Sequence, residues 1–223
     1  MQSWGIESVY NTRRTQKEPT KSGVIGLIAA SMGRRRNEPV DDLVQMRFGV
    51  RVDQQGEVHR DYQIAKSKVK KEDAYITHRY YIEDAAFLVG LEHTDKSFLE
   101  SVQAHLQSPS FTPFLGRRAC PPTYPLVLGI REAGLEQALY DEPWLAPEWA
   151  QKKLAKDLPV YVECSTDTNG GAFQKDVPVS FDISKREYGY RCVKYAGSVH
   201  MDIQGGEEQK APEQHDPMWE LRR

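Results

Sequence analysis

The chain has 223 residues, 39% of them apolar and 28% charged; it is long enough to bury a core without staples, and this is neither a disordered nor a membrane composition. No run approaches the ~20 apolar residues that cross a bilayer, MQSWGIESVYNTRRTQ lacks the apolar centre of a secretion signal, and three cysteines without a CxxC pair (Cys120, Cys164, Cys192) argue against a disulfide framework or zinc knot and for reduced thiols in a cytoplasmic protein. The net charge of −2 hides an asymmetry: residues 1–80 hold 15 Lys/Arg against 10 Asp/Glu, and residues 81–223 hold 15 against 22, so the front half offers a localised polyanion face.

Residues 1–20 read as a polar extended or loop segment. A helix is predicted after Pro19-Thr20-Lys21-Ser22-Gly23, where Val24, Ile25, Leu27, Ile28 and Met32 recur at helical spacing, Thr20 or Ser22 is the cap and Gly33 the stop. Arg34-Arg35-Arg36 then suits the negative end of the helix dipole. A short second helix is expected from Pro39 to Leu43. From Phe48 the period becomes two, with Phe48, Val50 and Val52 alternating against Gly49, Arg51 and Asp53.

Residues 57–82 read as a long hairpin. Its tip, Lys66-Ser67-Lys68-Val69-Lys70-Lys71, has almost no apolar residue, which predicts a mobile, projecting probe or clamp. A strand is expected again up to Leu91. The stretch DKSFLESVQAHLQ (95–107) is an amphipathic helix with Phe98, Leu99, Val102 and Leu106 on its buried stripe. Residues 110–125 carry four prolines and a glycine and must form an ordered, braced loop; Leu126–Ile130 is expected as a short strand. Helical segments broken by Pro143 and Pro147 occupy 134–158, and 159–204 alternates like β structure. The tail from Gly205 is polar and expected to fray. Helix, strands, helix, loop and strands together fit an α+β chain whose first ~125 residues form a ferredoxin-like unit.

Three features carry candidate chemistry. Gly116-Arg117-Arg118 in the braced loop is either a phosphate-chelating turn or a solvated charged turn; the rigid flanks favour the first. The helix start at Lys21 and Ser22 is a second candidate anion site, with the ordinary capped helix as its alternative, and it lacks the spacing of a nucleotide P-loop. The hairpin interleaves cations and rings, through Arg60, Tyr62, Lys66, Lys68, Lys70, Lys71, Tyr75, His78, Arg79, Tyr80 and Tyr81, which suits single-stranded nucleic acid or a merely solvated ribbon. Catalytic constellations are thin: the histidines lack metal spacing and there is no GxSxG elbow. Tyr75, His78 and a lysine supply a base, an acid and a cation for metal-independent ribonuclease chemistry, a combination also common by chance.

Four segments, Gln2-Ser-Trp-Gly5, Pro19-Thr-Lys-Ser-Gly-Val-Ile-Gly-Leu-Ile28, Arg60-Asp61-Tyr62 and Phe111-Thr-Pro-Phe-Leu-Gly-Arg-Arg-Ala-Cys-Pro121, in this order resemble the CasD family of the type I-E CRISPR surveillance complex Cascade, within the RAMP superfamily. The match spans about residues 1–125. The resemblance implies a ferredoxin-like (RRM-like) domain at 1–125 with an inserted thumb hairpin at about 57–82, a β-rich part at 126–204 and a flexible tail at 205–223. It implies a non-catalytic RNA-binding subunit in antiviral defence that holds the 5′ handle of the guide RNA and caps the complex backbone. Its partners would be the guide RNA, CasA and CasC, with CasB and CasE through the complex and target DNA only indirectly. No membrane, metal or cofactor is implied. In this subtype CasE cuts the precursor; in a related subtype the homologous subunit cuts, which keeps an endoribonuclease as the rival. RNA-facing residues would be Arg13, Arg14, Lys21, Ser22, Arg60, Tyr62, Lys66, Lys68, His78, Arg79, Arg117 and Arg118. Family members carry a short strand-Gly-Pro segment before the QSWG motif, whereas Met1 here directly precedes Gln2. That departure predicts a longer authentic protein, with the extra segment as the central first strand, because its loss would expose strand edges.

Overall fold

Thr20 opens the first helix, α1 (Lys21–Ser31), and its Oγ1 accepts the Gly23 N–H at 3.2 Å. The computed structural model describes residues 1–5, 12–66 and 74–201, and within them α1 has no exposed residue. Eight of its residues are buried, so it has no solvated face to speak of. Trp4 closes one side of it; a Cβ on Gly23 would stand 2.7 Å from the indole. A short α2 (Asp41–Val44) follows.

The larger sheet has five antiparallel strands in the order β5-β2-β6-β8-β7. Their bounds are β2 (Arg47–Gln54), β5 (Ala86–Glu92), β6 (Asp157–Cys164), β7 (Ala172–Ser180) and β8 (Glu187–His200). The second sheet has three strands in the order β1-β4-β3, with β1 (Thr12–Arg13), β3 (Glu57–Lys66) and β4 (Ala74–Glu83). Between β5 and β6 lie α3 (Lys96–Gln107), α4 (Leu135–Asp141) and α5 (Glu148–Gln151).

The sheet is packed on both faces. On one, Phe48 and Val50 of β2 meet Ile25 and Ile28 of α1, Leu43, Met46 and Ile82, with Trp4 and Val102 completing the cluster. On the other, Leu135 and Leu139 of α4 cover Leu88, Val160 and Val162. Each such fully buried side chain contributes ~1.5–3 kcal/mol. The predicted helices and the hairpin at 57–82 are present. Leu126–Ile130 forms no strand: Gly129 sits at φ +113, and Arg131 turns back to donate to the carbonyls of Leu128 and Ile130. The boundary expected at residue 125 separates no sheet, because β2 and β6 are ladder partners at Gly49–Val162, Val50–Tyr161 and Arg51–Val160. The tail at 205–223 and most of the hairpin tip lie outside the described residues. No helix among the described residues is long and apolar enough to cross a membrane.

Candidate nucleic-acid interface

Residues Gln2–Trp4 act as a strut joining three elements. Gln2 exchanges backbone hydrogen bonds with Ile82 at the hairpin root, both 2.8 Å, and Ser3 Oγ donates to the Tyr80 carbonyl at 2.9 Å. The Ser3 N–H donates to the Leu115 carbonyl at 3.1 Å, and the Gln16 N–H to the Trp4 carbonyl at 2.7 Å. The hairpin, the braced loop and the segment carrying β1 are thereby held in one body.

The loop closes tightly around Gly116. Leu115 N–H donates to the Cys120 carbonyl at 2.7 Å and Cys120 N–H to the Arg117 carbonyl at 2.8 Å. Gly116 has φ +79, and a Cβ there would lie 1.7 Å from the Ser3 oxygen. The close backbone approach that this glycine permits is to Ser3, not to a phosphate. Its consequence is the placement of Arg117. The half-buried guanidinium donates through Nη2 to the Arg13 carbonyl at 2.8 Å and lies 4.9 Å from the Tyr81 ring centroid. β1 runs parallel to β4 with Arg13 aligned to Arg79. Loop, β1 and hairpin root therefore bring Arg13, Arg79, Arg117 and Tyr81 together, with the exposed Arg14 and Arg118 beside them.

Among the described residues, none of Arg13, Arg14, Arg60, Arg79, Arg117 and Arg118 is in an ion pair. Four buried side-chain polar atoms lack a hydrogen-bond partner there, and two of them, Arg79 Nε and Arg117 Nη1, fall in this corner; a third, His78 Nδ1, belongs to the other face of the hairpin.

The hairpin residues do not form a single row. Side chains alternate across a ladder, and the register pairs Arg60 with Tyr80, Tyr62 with His78, and Lys66 with Ala74. Arg60, Tyr62, Lys66 and His78 thus share one face, where the Tyr62 and His78 rings are 5.6 Å apart and the aliphatic Val58, Ile64 and Ile76 are exposed. Arg79 lies on the opposite face with Tyr81, paired in register with Asp61. Lys68 lies outside the described residues.

The helix start is a correction. Lys21 is 3% exposed, and its Nζ donates to both oxygens of Glu163 at 3.1 and 2.9 Å. Its backbone N–H donates to Asp176 Oδ2 at 2.8 Å, so the positive end of α1 already holds a carboxylate of the same chain. Asp176 is clamped in turn by Arg191 at 2.6 and 2.9 Å. Ser22 is buried, 3.4 Å from the Thr20 hydroxyl. Lys21 and Ser22 are structural, not an open phosphate site, because that place is filled internally. Sequence reasoning missed Ser3, whose role depends on contacts far along the chain, and the stacking of Arg117 on Tyr81.

A sheet-built α+β chain whose arginines gather at a loop, a short strand and a hairpin root, in no ion pair among the described residues, is of the class that presents a cationic face. The sequence profile described as CRISPR-associated protein (Cas_Cas5) matches residues 1–194, and the chain belongs to this Cas5 family. It is 33% identical over 154 residues to the CRISPR system Cascade subunit CasD of Escherichia coli (strain K12), covering 60% of this chain and 68% of that one. Among solved structures it is similar to a chain of a CRISPR RNA-guided surveillance complex, with TM-score 0.76, 28% identity, and 93% of this chain and 90% of that chain covered. A second is a crystal structure of a Cas protein, with TM-score 0.68, 35% identity, and 89% and 90% covered.

Proposed function

We propose that this Cas5-family subunit is a non-catalytic RNA-binding component of a Cascade-type complex. It holds the 5′ handle of the guide RNA and caps the complex backbone in cytoplasmic antiviral defence, beside CasA and CasC, with CasB, CasE and target DNA engaged through the assembly. The observation that carries this reading is the convergence of Arg13, Arg79 and Arg117, none of them in an ion pair among the described residues. A guanidinium with unmet donors is matched by phosphate oxygens, which accept in the same forked geometry. On the other hairpin face, Tyr62 and His78 offer rings for base stacking, with Arg60 and Lys66 as phosphate contacts. The order α1, β2, inserted hairpin, β5, α3 supports the ferredoxin-like reading with a thumb.

The endoribonuclease rival is less well supported, since Tyr75 and His78 fall on opposite faces of β4 and cannot flank one scissile bond. The test is the double variant Arg117→Ala/Arg118→Ala, assembled with guide RNA and the other subunits. Complex yield on the RNA falls at least tenfold, and the dependence of log K on log salt becomes shallower by about 1.4 for two single-strand phosphate contacts. Unchanged yield and slope would remove the braced turn from the interface. Labelled repeat RNA incubated in EDTA stays intact; a defined cleavage product would favour the rival.

A further inference from the structure

Cys164 ends β6 and stands directly opposite Cys192 of β8 in the ladder. Opposed residues of an antiparallel pair put their side chains on the same face, with Cα atoms about 4.5–5.5 Å apart. That span lies inside the ~4.4–6.8 Å range that a disulfide bridges. The two sulfurs also crowd one point under the loop joining β6 to β7. A Cβ on Gly171 would lie 2.3 Å from Cys192 Sγ and 3.2 Å from Cys164 Sγ, so only glycine leaves room for the pair. Both thiols are free.

Their exposure differs in a useful way. Cys192 is 3% exposed, whereas Cys164 is half-buried and lines an open cleft of about 360 Å³ with Arg47, Glu163, Ser165, Thr168 and Lys194. The Cys192 thiol is pushed up first by its hydrogen bond with Cys164 and then by burial. A half-buried cysteine on an open cleft thus has a protected neighbour within reach, the arrangement of an attacking and a resolving cysteine.

We propose that Cys164 and Cys192 are an oxidisable cross-strand pair, which a hydroperoxide converts to a disulfide tying β6 to β8. The Cys164 thiolate attacks a peroxide oxygen; the O–O bond breaks, the leaving oxygen takes up the proton that the thiol gave up and departs as water or an alcohol, and Cys164 becomes a sulfenic acid. The Cys192 sulfur then attacks the Cys164 sulfur; the S–O bond breaks, and water departs with the Cys192 proton. Two thiols lose two electrons and two protons, and the peroxide is reduced by the same two electrons. A thiol reductant reverses the bond. The bond ties β6 to β8 at the end of the sheet where β2 begins, whereas the hairpin leaves β2 at its other end.

The full chain is reduced, treated with hydrogen peroxide, alkylated in denaturant and digested with trypsin. Cleavage after Lys156, Lys175, Arg191 and Lys194 places the two cysteines in peptides 157–175 and 192–194. The expected product joins these two peptides, about 2 Da below the sum of their thiol forms, and dithiothreitol separates them. Cys120, 0% exposed, remains an alkylated thiol. In Cys192→Ser the link is absent and Cys164 is trapped as a sulfenic acid by a cyclic diketone; Cys192→Ala serves as the second variant if a buried hydroxyl impairs folding. Sulfinic Cys164 alongside alkylated Cys192 in the wild-type chain overturns the proposal, as does a link that forms only between two chains.

Discussion

Cations occupy this chain in two contrasting settings. In the sheet, Arg51 is wholly buried, donates to both oxygens of Asp53 at 2.7 and 2.9 Å, and satisfies the carbonyls of Leu139, Glu142 and Pro143 around the end of α4. Arg191 does the same for Asp176 while lying 4.8 Å from the centre of the Phe48 ring, and Lys21 answers Glu163, which also accepts the Phe48 N–H. Each of these three cations has its carboxylate. At the loop, β1 and the hairpin root, the arginines form no ion pair among the described residues, and Arg117 meets a carbonyl and a ring. Paired cations cost desolvation and repay it in fixed geometry. Unpaired ones repel each other and add nothing to folding, which makes sense of them as a surface awaiting an anion.

The sharpest way to break this contrast is Asp53→Ala. It strands the Arg51 charge in the core and frees the Leu145 N–H that Asp53 accepts at 2.7 Å. Breaking such a buried pair costs ~3–5 kcal/mol, readable as a shifted urea midpoint with little change in slope. A loss under ~1 kcal/mol would mean that the pair is already solvated.

Next in size is Lys21→Met, with a loss of ~1–3 kcal/mol from the uncompensated Glu163. The folded protein keeps its affinity for handle RNA within about twofold, since Lys21 faces inward. A loss near tenfold, about 1.4 kcal/mol, would return Lys21 to the RNA-facing set.

Gly116→Ala joins the two regions. With φ +79 and the Ser3 oxygen in the way, an alanine costs ~1–3 kcal/mol of backbone strain. It also moves Arg117 off Tyr81, so RNA affinity falls further than the change in folded fraction accounts for. Arg117→Ala/Arg118→Ala separates the effects: its stability stays within ~1 kcal/mol of the parent, and only RNA binding suffers.

How much of this could be read from residue order follows the range of the interactions. The helix at Lys21–Ser31, its Thr20 cap and the amphipathic helix at Lys96–Gln107 are local patterns, and the hairpin, though not its register, follows from alternation and a polar tip. The braced turn was legible because proline and glycine punctuate it. What was not legible depends on partners far along the chain. Nothing near Lys21 announces Glu163 or Asp176, so a capped helix start and an open anion site look alike. Likewise, the alignment of Arg13 with Arg79 is visible only once the hairpin is laid against β1.

The smallest effect concerns an ion pair of intermediate kind. Arg34 binds Asp42 through two hydrogen bonds, 2.6 and 2.5 Å, yet the aspartate side chain is 45% exposed. The hydrogen bond from Arg34 chiefly holds the Asp42 carboxyl below its ordinary value of 3.8. A group depressed in the folded state contributes stability above that ordinary value and loses it as the pH falls through the lower, folded value. Solvent screening limits the contribution to under ~1 kcal/mol. Asp42→Asn should therefore be slightly less stable than the parent at neutral pH, and the difference should close under acid as the parent loses its bridge. Salt should narrow the gap at neutral pH in the same way. Identical acid limbs in the two proteins would place Asp42 with charges that organise nothing. A gap that survives both acid and salt would instead group it with Asp53, whose work is done by geometry in the interior.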